Sequence, residues 1–84
     1  MNTIKWAPKA MKQARKLDKP IRAKIYEEVQ ALKEMPDCQS VIHLTDHRYG
    51  YRLRVGNYRV LFDWDGEIRV VEIQEVKIRN EDTY

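Results

Sequence analysis

Apolar residues follow two periods along this chain, one of about 3.6 residues near the N-terminus and one of two residues beyond Tyr49. Thr3-Ile4-Lys5-Trp6 alternates and predicts a short first strand. Pro8 suits the first turn of a helix, where its missing N–H costs nothing, and Met11, Ala14 and Leu17 recur at helical spacing. Asp18 is placed to cap a second helix, with Lys19 and Pro20 in its first turn. Ile21, Ile25, Val29 and Leu32 line one face of that helix. Its end is expected near Glu34 or Met35, because Pro36 disfavours helical geometry in the residue before it. With almost no linker between them, the two helices are expected to form an antiparallel hairpin.

Met35 to Tyr49 holds Pro36, Asp37, Gln39, Ser40, Thr45 and Asp46 and reads as mostly loop. Strands are predicted over roughly 49–55, 57–64 and 67–75. Asp65-Gly66 is the signature of a two-residue type I′ hairpin turn. Such a turn sets Trp64 opposite Glu67, Phe62 opposite Arg69, Val60 opposite Val71, Tyr58 opposite Ile73 and Arg59 opposite Glu72. Tyr58, Val60 and Phe62 then share the face beneath the helices with Val71 and Ile73, and Arg59 projects to the other face beside Leu61. From Val76 to Tyr84 the alternation is lost and the chain is polar. The expected fold class is α+β: an N-terminal strand, a helical hairpin, then a three-stranded antiparallel meander, with the helices on one face of a small sheet.

Composition narrows what such a fold can do. Eighty-four residues make one domain, 1–84, with a single small core and no room for a separate cofactor domain. No apolar run approaches the ~20 residues that a membrane span needs, and Met1 to Trp6 lacks the apolar stretch of a signal peptide. The lone Cys38 has no internal disulfide partner, which fits a reducing, cytoplasmic compartment. The net charge of +3 conceals an asymmetry: residues 1–26 carry eight Lys/Arg against Asp18 alone, and residues 27–84 carry eight against twelve acids. The basic part reads as a surface for a polyanion (RNA, DNA or an acidic protein), against the plainer reading of a solvated helical face.

The candidate chemistry lies in Tyr51-Arg52-Leu53-Arg54-Val55-Gly56-Asn57-Tyr58-Arg59-Val60-Leu61-Phe62. Arg52 and Arg54 are two apart in a strand and project together; Arg59 follows across the short Gly56-Asn57 turn. Lys77 and Arg79 follow the last predicted strand, and pairing of strand 57–64 with both neighbours brings all five cations into one region. Guanidinium groups offer planar, bidentate donors matched to phosphate oxygens. Tyr51, Tyr58 and Tyr84 add aromatic faces or a hydroxyl, a mixture that suits single-stranded nucleic acid, although Tyr58 fits the core better. The competing reading is cross-strand ion pairing, Arg59 with Glu72 and Arg69 with Glu67. His43 and His47 are four apart, but they lie outside any helical pattern and lack Cys pairs or a histidine–glutamate motif, so no metal site is expected. No glycine-rich phosphate loop or Ser-His-Asp spacing occurs, and no cofactor is expected.

These residues resemble the toxins of the RelE/ParE superfamily, the RelE-like branch most closely. The resemblance rests on the YRLRVGNYRVLF block, the DWDGEI hairpin, the apolar last strand and the VKIRNEDTY terminus, and it covers essentially the whole chain. It implies a type II toxin that cuts messenger RNA in the ribosomal A site and inhibits translation, with ribosomal RNA and an acidic RelB-like antitoxin as partners. By the resemblance, Arg59 matches a phosphate-contacting transition-state stabiliser, and Arg52 a basic position for phosphate contact or proton transfer. Tyr84 matches a C-terminal tyrosine near the 2′-hydroxyl or a base, and Lys77 a basic position before the tail. RNA contact is expected from Arg54, Tyr51, Lys9, Lys12 and Lys16. Two positions depart from the family pattern. Gly50 stands where a lysine is usual, and Ile78 where an arginine is usual, with Arg79 beside it as the substitute. The same fold also implies two alternatives, a non-enzymatic ParE-type inhibitor of DNA gyrase and an inactive binding module.

Overall fold

A computed structural model describes residues 1–78. The elements in order are β1 (Thr3–Trp6), α1 (Pro8–Arg15), α2 (Lys19–Gln30), a 3-10 turn (Ala31–Glu34), β2 (Val41–His43), β3 (Tyr51–Val55), β4 (Tyr58–Asp65) and β5 (Val70–Ile78). The strands form one sheet in the order β1-β5-β4-β3-β2. β1 runs parallel to β5, and the other neighbours are antiparallel. The α+β class expected from the sequence is the class observed.

One face of the sheet carries the core. Ala10, Ile25, Val29 and Leu32 from the helical layer meet Leu53, Val55, Val60, Phe62, Val71, Ile73 and Val76 from the strands. α1 lies against β5 and α2 against β3. The two helices of the expected hairpin thus lie on one face of the sheet, each against its own strand. Asp18 takes the N-cap position of α2, but its side chain makes no capping bond. An N-cap oxygen bonds the N–H of the second or third helical residue, and Pro20 at the second has none to give.

Three departures from the expected strands matter. The sequence reads 41–43 as part of a loop; at three residues β2 is too short to show a period, and it forms by pairing Val41, Ile42 and His43 with Leu53, Arg52 and Tyr51. The Asp65-Gly66 type I′ turn does not form either. Asp65 pairs with Val70, and its Oδ1 accepts from the N–H groups of Glu67 (2.9 Å) and Ile68 (3.3 Å), closing a four-residue loop. The left-handed residue of that loop is Arg69, at φ 55°. At Gly66 a Cβ would stand 3.0 Å from the Trp64 ring, a contact tight enough that the ring would have to give way.

The third departure is a β-bulge in β5. Phe62 pairs with Ile73, whereas Leu61 pairs with Glu75, leaving Gln74 as the extra residue. A bulge changes which face the following side chains take. Val76 therefore enters the core beside Val71 and Ile73, while Glu75 and Lys77 pass to the other face. What the sequence showed as the end of a strand near residue 75 is this bulge, and β5 continues to Ile78.

Both edges of β5 are closed. β1 covers Val70 to Ile73, and Ala7 N–H donates to the Ile73 carbonyl at 2.8 Å. Beyond that point α1 takes over, and Gln13 Oε1 accepts from Val76 N–H at 2.7 Å. At the opposite corner, buried Asn2 joins three elements. Its Nδ2 donates to the carbonyls of Lys33 (3.0 Å) and Met35 (3.1 Å), and its Oδ1 accepts from Trp64 Nε1 at 3.0 Å. Asn2→Ala leaves these groups buried without partners and is expected to cost ~2–3 kcal/mol in urea unfolding followed by tryptophan fluorescence. Asn2→Asp should cost at least as much, because a carboxylate has no donor for the two carbonyls; a change under ~0.5 kcal/mol in either variant would contradict the clamp.

Candidate active site

The face of the sheet away from the helices is organised in rows across β3, β4 and β5. Arg54, Arg59 and Lys77 stand directly opposite one another, and Arg52, Leu61 and Glu75 form the next row. One row further on, Asp63 stands opposite Glu72. The face is thus polar along its length, cationic near the Gly56-Asn57 turn and acidic about 14 Å away, four residues along β4.

The expected pairing of Arg59 with Glu72 does not occur, because the four-residue loop and the bulge together bring Lys77 to that place. Arg59 is 3% exposed, and its Nη1 donates to the carbonyls of Gly56 and Tyr58, both at 2.9 Å. Gly56 opens the turn at φ 55°, a conformation that glycine adopts without strain. The turn and Arg59 therefore hold each other. Arg54 is exposed and Arg52 half-buried, on the same face as Arg59. Like charges opposite one another on neighbouring strands are destabilising, by up to ~1 kcal/mol per pair where the groups are solvent-exposed. An anion close to the row offsets that cost.

The fold itself supplies one. Glu75 is 6% exposed, and its Oε1 lies 3.2 Å from Lys9 Nζ on α1 and 3.7 Å from Lys77 Nζ. The Tyr49 hydroxyl also favours the charged form of this carboxylate. Burial pushes the Glu75 pKa up, but Lys9, the Tyr49 hydroxyl and Lys77 outweigh it and hold the group below its ordinary value. Neither Glu75 nor Tyr49 stood out in the sequence. The one available signal was a glutamate inside an apolar strand at the point where alternation fails.

The remaining expected site residues divide. Lys9, Lys12 and Lys16 share a side of α1, and through Lys9 that stripe joins the cationic face at Glu75. Tyr51 is on the opposite, helix-side face. Its ring stacks between His43 (4.9 Å between centroids) and Phe62 (5.4 Å), so it stands apart from the arginines. Tyr58 packs against the core. His47 accepts the Tyr49 N–H on Nδ1 at 3.1 Å. Gly50, in place of the family lysine, donates its N–H to Asp63 Oδ1 at 2.8 Å. Arg79 and Tyr84 lie outside the described residues.

Residues 4–83 match the family described as the ParE toxin of type II toxin–antitoxin systems, parDE. The chain belongs to this family. Solved structures similar to the toxin carry RelE names. The archaeal RelE–RelB complex from Pyrococcus horikoshii OT3 is 25% identical, with a TM-score of 0.81 over 95% of this chain and 97% of that one. The isolated Escherichia coli RelE toxin is 19% identical, with a TM-score of 0.79 over 99% and 89%. The RelBE2 toxin–antitoxin complex of Mycobacterium tuberculosis gives 24% and 0.78 over 93% and 98%. No curated protein matches the toxin. Together these place it among the RelE/ParE superfamily toxins, on the RelE fold.

The depressed Glu75 carboxyl has a measurable consequence. A carboxyl whose folded pKa lies below its unfolded value stabilises fully above the unfolded value, near ~4.3, and stops doing so as pH falls through the folded one. The toxin should therefore lose stability on acidification more steeply than Glu75→Gln. Urea midpoints between pH ~6 and ~2 measure this, and parallel curves for the two proteins would refute it.

Proposed function

We propose that the toxin is a ribosome-dependent endoribonuclease that cleaves messenger RNA by attack of the 2′-hydroxyl on the adjacent phosphate. The products are a 2′,3′-cyclic phosphate and a 5′-hydroxyl. The observation that carries this reading is the in-register row Arg54–Arg59–Lys77 beside Arg52. A phosphorane gains negative charge as it forms, and fixed guanidinium and ammonium groups stabilise that charge without a metal ion. Arg59, held by two carbonyls, is the stabiliser in this scheme, with Arg52 beside it. Arg79 and Tyr84 complete the scheme as phosphate ligand and as the group near the 2′-hydroxyl.

The same chemistry explains reliance on a partner. Arginine keeps its proton above pH ~12 and is a poor shuttle, and lysine and tyrosine titrate far from neutral unless perturbed. A site built from them gains most when the RNA is held in line for it, an effect of roughly 7–11 kcal/mol in favourable cases. The ribosomal A site supplies such a hold, with ribosomal RNA facing the Lys9, Lys12 and Lys16 stripe. Solved relatives include RelE–RelB complexes, which supports an acidic RelB-like antitoxin as the partner of this toxin, covering its basic surface.

In translation of a defined message, the wild type is expected to yield fragments cut at codons. Arg59→Ala, its fold checked by circular dichroism, should cut roughly 10²–10³-fold more slowly. A wild type that yields no fragments rules the proposal out.

The family match favours a second reading, a ParE-type poison of DNA gyrase on the same fold. Deleting residues 79–84 separates the two. Growth inhibition should collapse if the toxin cleaves RNA and survive if it poisons gyrase, with a supercoiling assay as the direct check.

A further inference from the structure

Glu75 is the one acidic side chain described within the cationic rows, and nothing in the reaction as drawn above uses it. It is nearly buried, in the row beside Arg54–Arg59–Lys77 and directly across from Leu61. Two ammonium groups from separate elements converge on its carboxylate, Lys9 of α1 at 3.2 Å and Lys77 of β5 at 3.7 Å. A carboxylate so engaged is ill suited to removing a proton from a 2′-hydroxyl. Its geometry suits a different task. The lysines are roughly half exposed, at 57% and 43%, and a lysine ammonium on a four-carbon stem has no fixed place unless something holds it.

We propose that Glu75 is a positioning residue. It fixes the Lys77 ammonium in the row with Arg59 and ties the Lys9 end of the α1 stripe to the sheet, so that strand and helix present one preorganised surface to an RNA phosphate. The bulge at Gln74 is what delivers Glu75 to this face, and Gln13 on the same helix holds the adjoining edge of β5. The sheet contact and the ion pair thus lock the same two elements in one arrangement. This proposal rests on the ribonuclease reading for its catalytic part only; the fixing of the two lysines stands without it.

Glu75→Gln separates positioning from simple charge. The amide has nearly the same shape, but it has lost the charge that holds the two ammonium groups. It also removes one negative charge and so raises the net charge by one, which favours RNA binding. The expected result in the ribosome-dependent assay is a kcat lowered roughly 10- to 100-fold with a KM unchanged or lower. Glu75→Asp keeps the charge on a shorter stem and should recover part of kcat. An unchanged kcat, or a loss that lies wholly in KM, overturns the proposal.

Nitrogen-15 NMR of the lysine side chains supplies a readout that needs no RNA. Ammonium protons held in ion pairs exchange slowly enough to be seen, so Lys9 and Lys77 should give side-chain signals in the wild type and lose them in Glu75→Gln. Signals that persist in the variant overturn the proposal as well. If the wild type cleaves no message, the ribonuclease reading fails and takes the catalytic part with it. The NMR arm still decides whether Glu75 fixes the lysines, so the two failures are distinguishable.

Discussion

The charged face of this toxin depends on a one-residue slip between β4 and β5. Were the pairing of Phe62 with Ile73 continued without the bulge, Arg59 would oppose Val76, and Glu75 would point into the core opposite Val60. A glutamate there would be a buried charge among valines, and a cost of several kcal/mol would follow. The extra residue, Gln74, removes that conflict. It bonds outward to Asp63 and Glu72, and it lets Val76 fill the core while Glu75 and Lys77 face the arginines. One local irregularity thus satisfies the core and assembles the site at once.

A bulge weakens the ladder where it occurs, and the surroundings compensate. β5 is the hub of the sheet, lined by β4 on one side and by β1 and then α1 on the other. The Val76 N–H that would face solvent past the end of β1 is met by Gln13. Asn2 ties the start of β1 to the end of the helical layer and to Trp64 of β4. The core of Phe62, Ile73, Val71 and Val60 is fully buried between these ties. A rigid frame is what permits a row of like charges to remain in register, since repulsion would otherwise be relieved by fraying.

The polarity of the open face bears on function whichever branch of the superfamily the toxin follows. Asp63 and Glu72 close one end to a polyanion, and the Arg54 row with the α1 stripe invites it at the other. Fold alone does not choose between RNA and gyrase, because both branches share the scaffold. The internal carboxylate of Glu75 does shift the physical picture. Part of the cationic surface is already balanced from within, so the protein tolerates the cluster before any ligand arrives.

Much of this was legible in the sequence, and the rest was not, for definite reasons. Periodicity placed β1, both helices and three strands, because each has a buried face long enough to repeat. The alternation of Arg52 and Arg54 with Leu53 and Val55, and of Arg59 with Val60, put the arginines on the face away from the core. The same residues supported the resemblance to the RelE/ParE toxins. What failed was decided by side-chain contacts and strand partners that no repeating pattern shows. β2 exists only because β3 offers an edge. The Asp65-Gly66 dipeptide carried a strong local preference, yet the loop followed the Asp65 side chain and the needs of Trp64. The sequence by itself determined which residues are apolar enough to bury and which cations lie next to a turn. Only the tertiary structure decided the β4–β5 register, and with it that Arg59 meets Lys77 and that Glu75 joins them, because register is set by the packing of a whole face and not by any one segment.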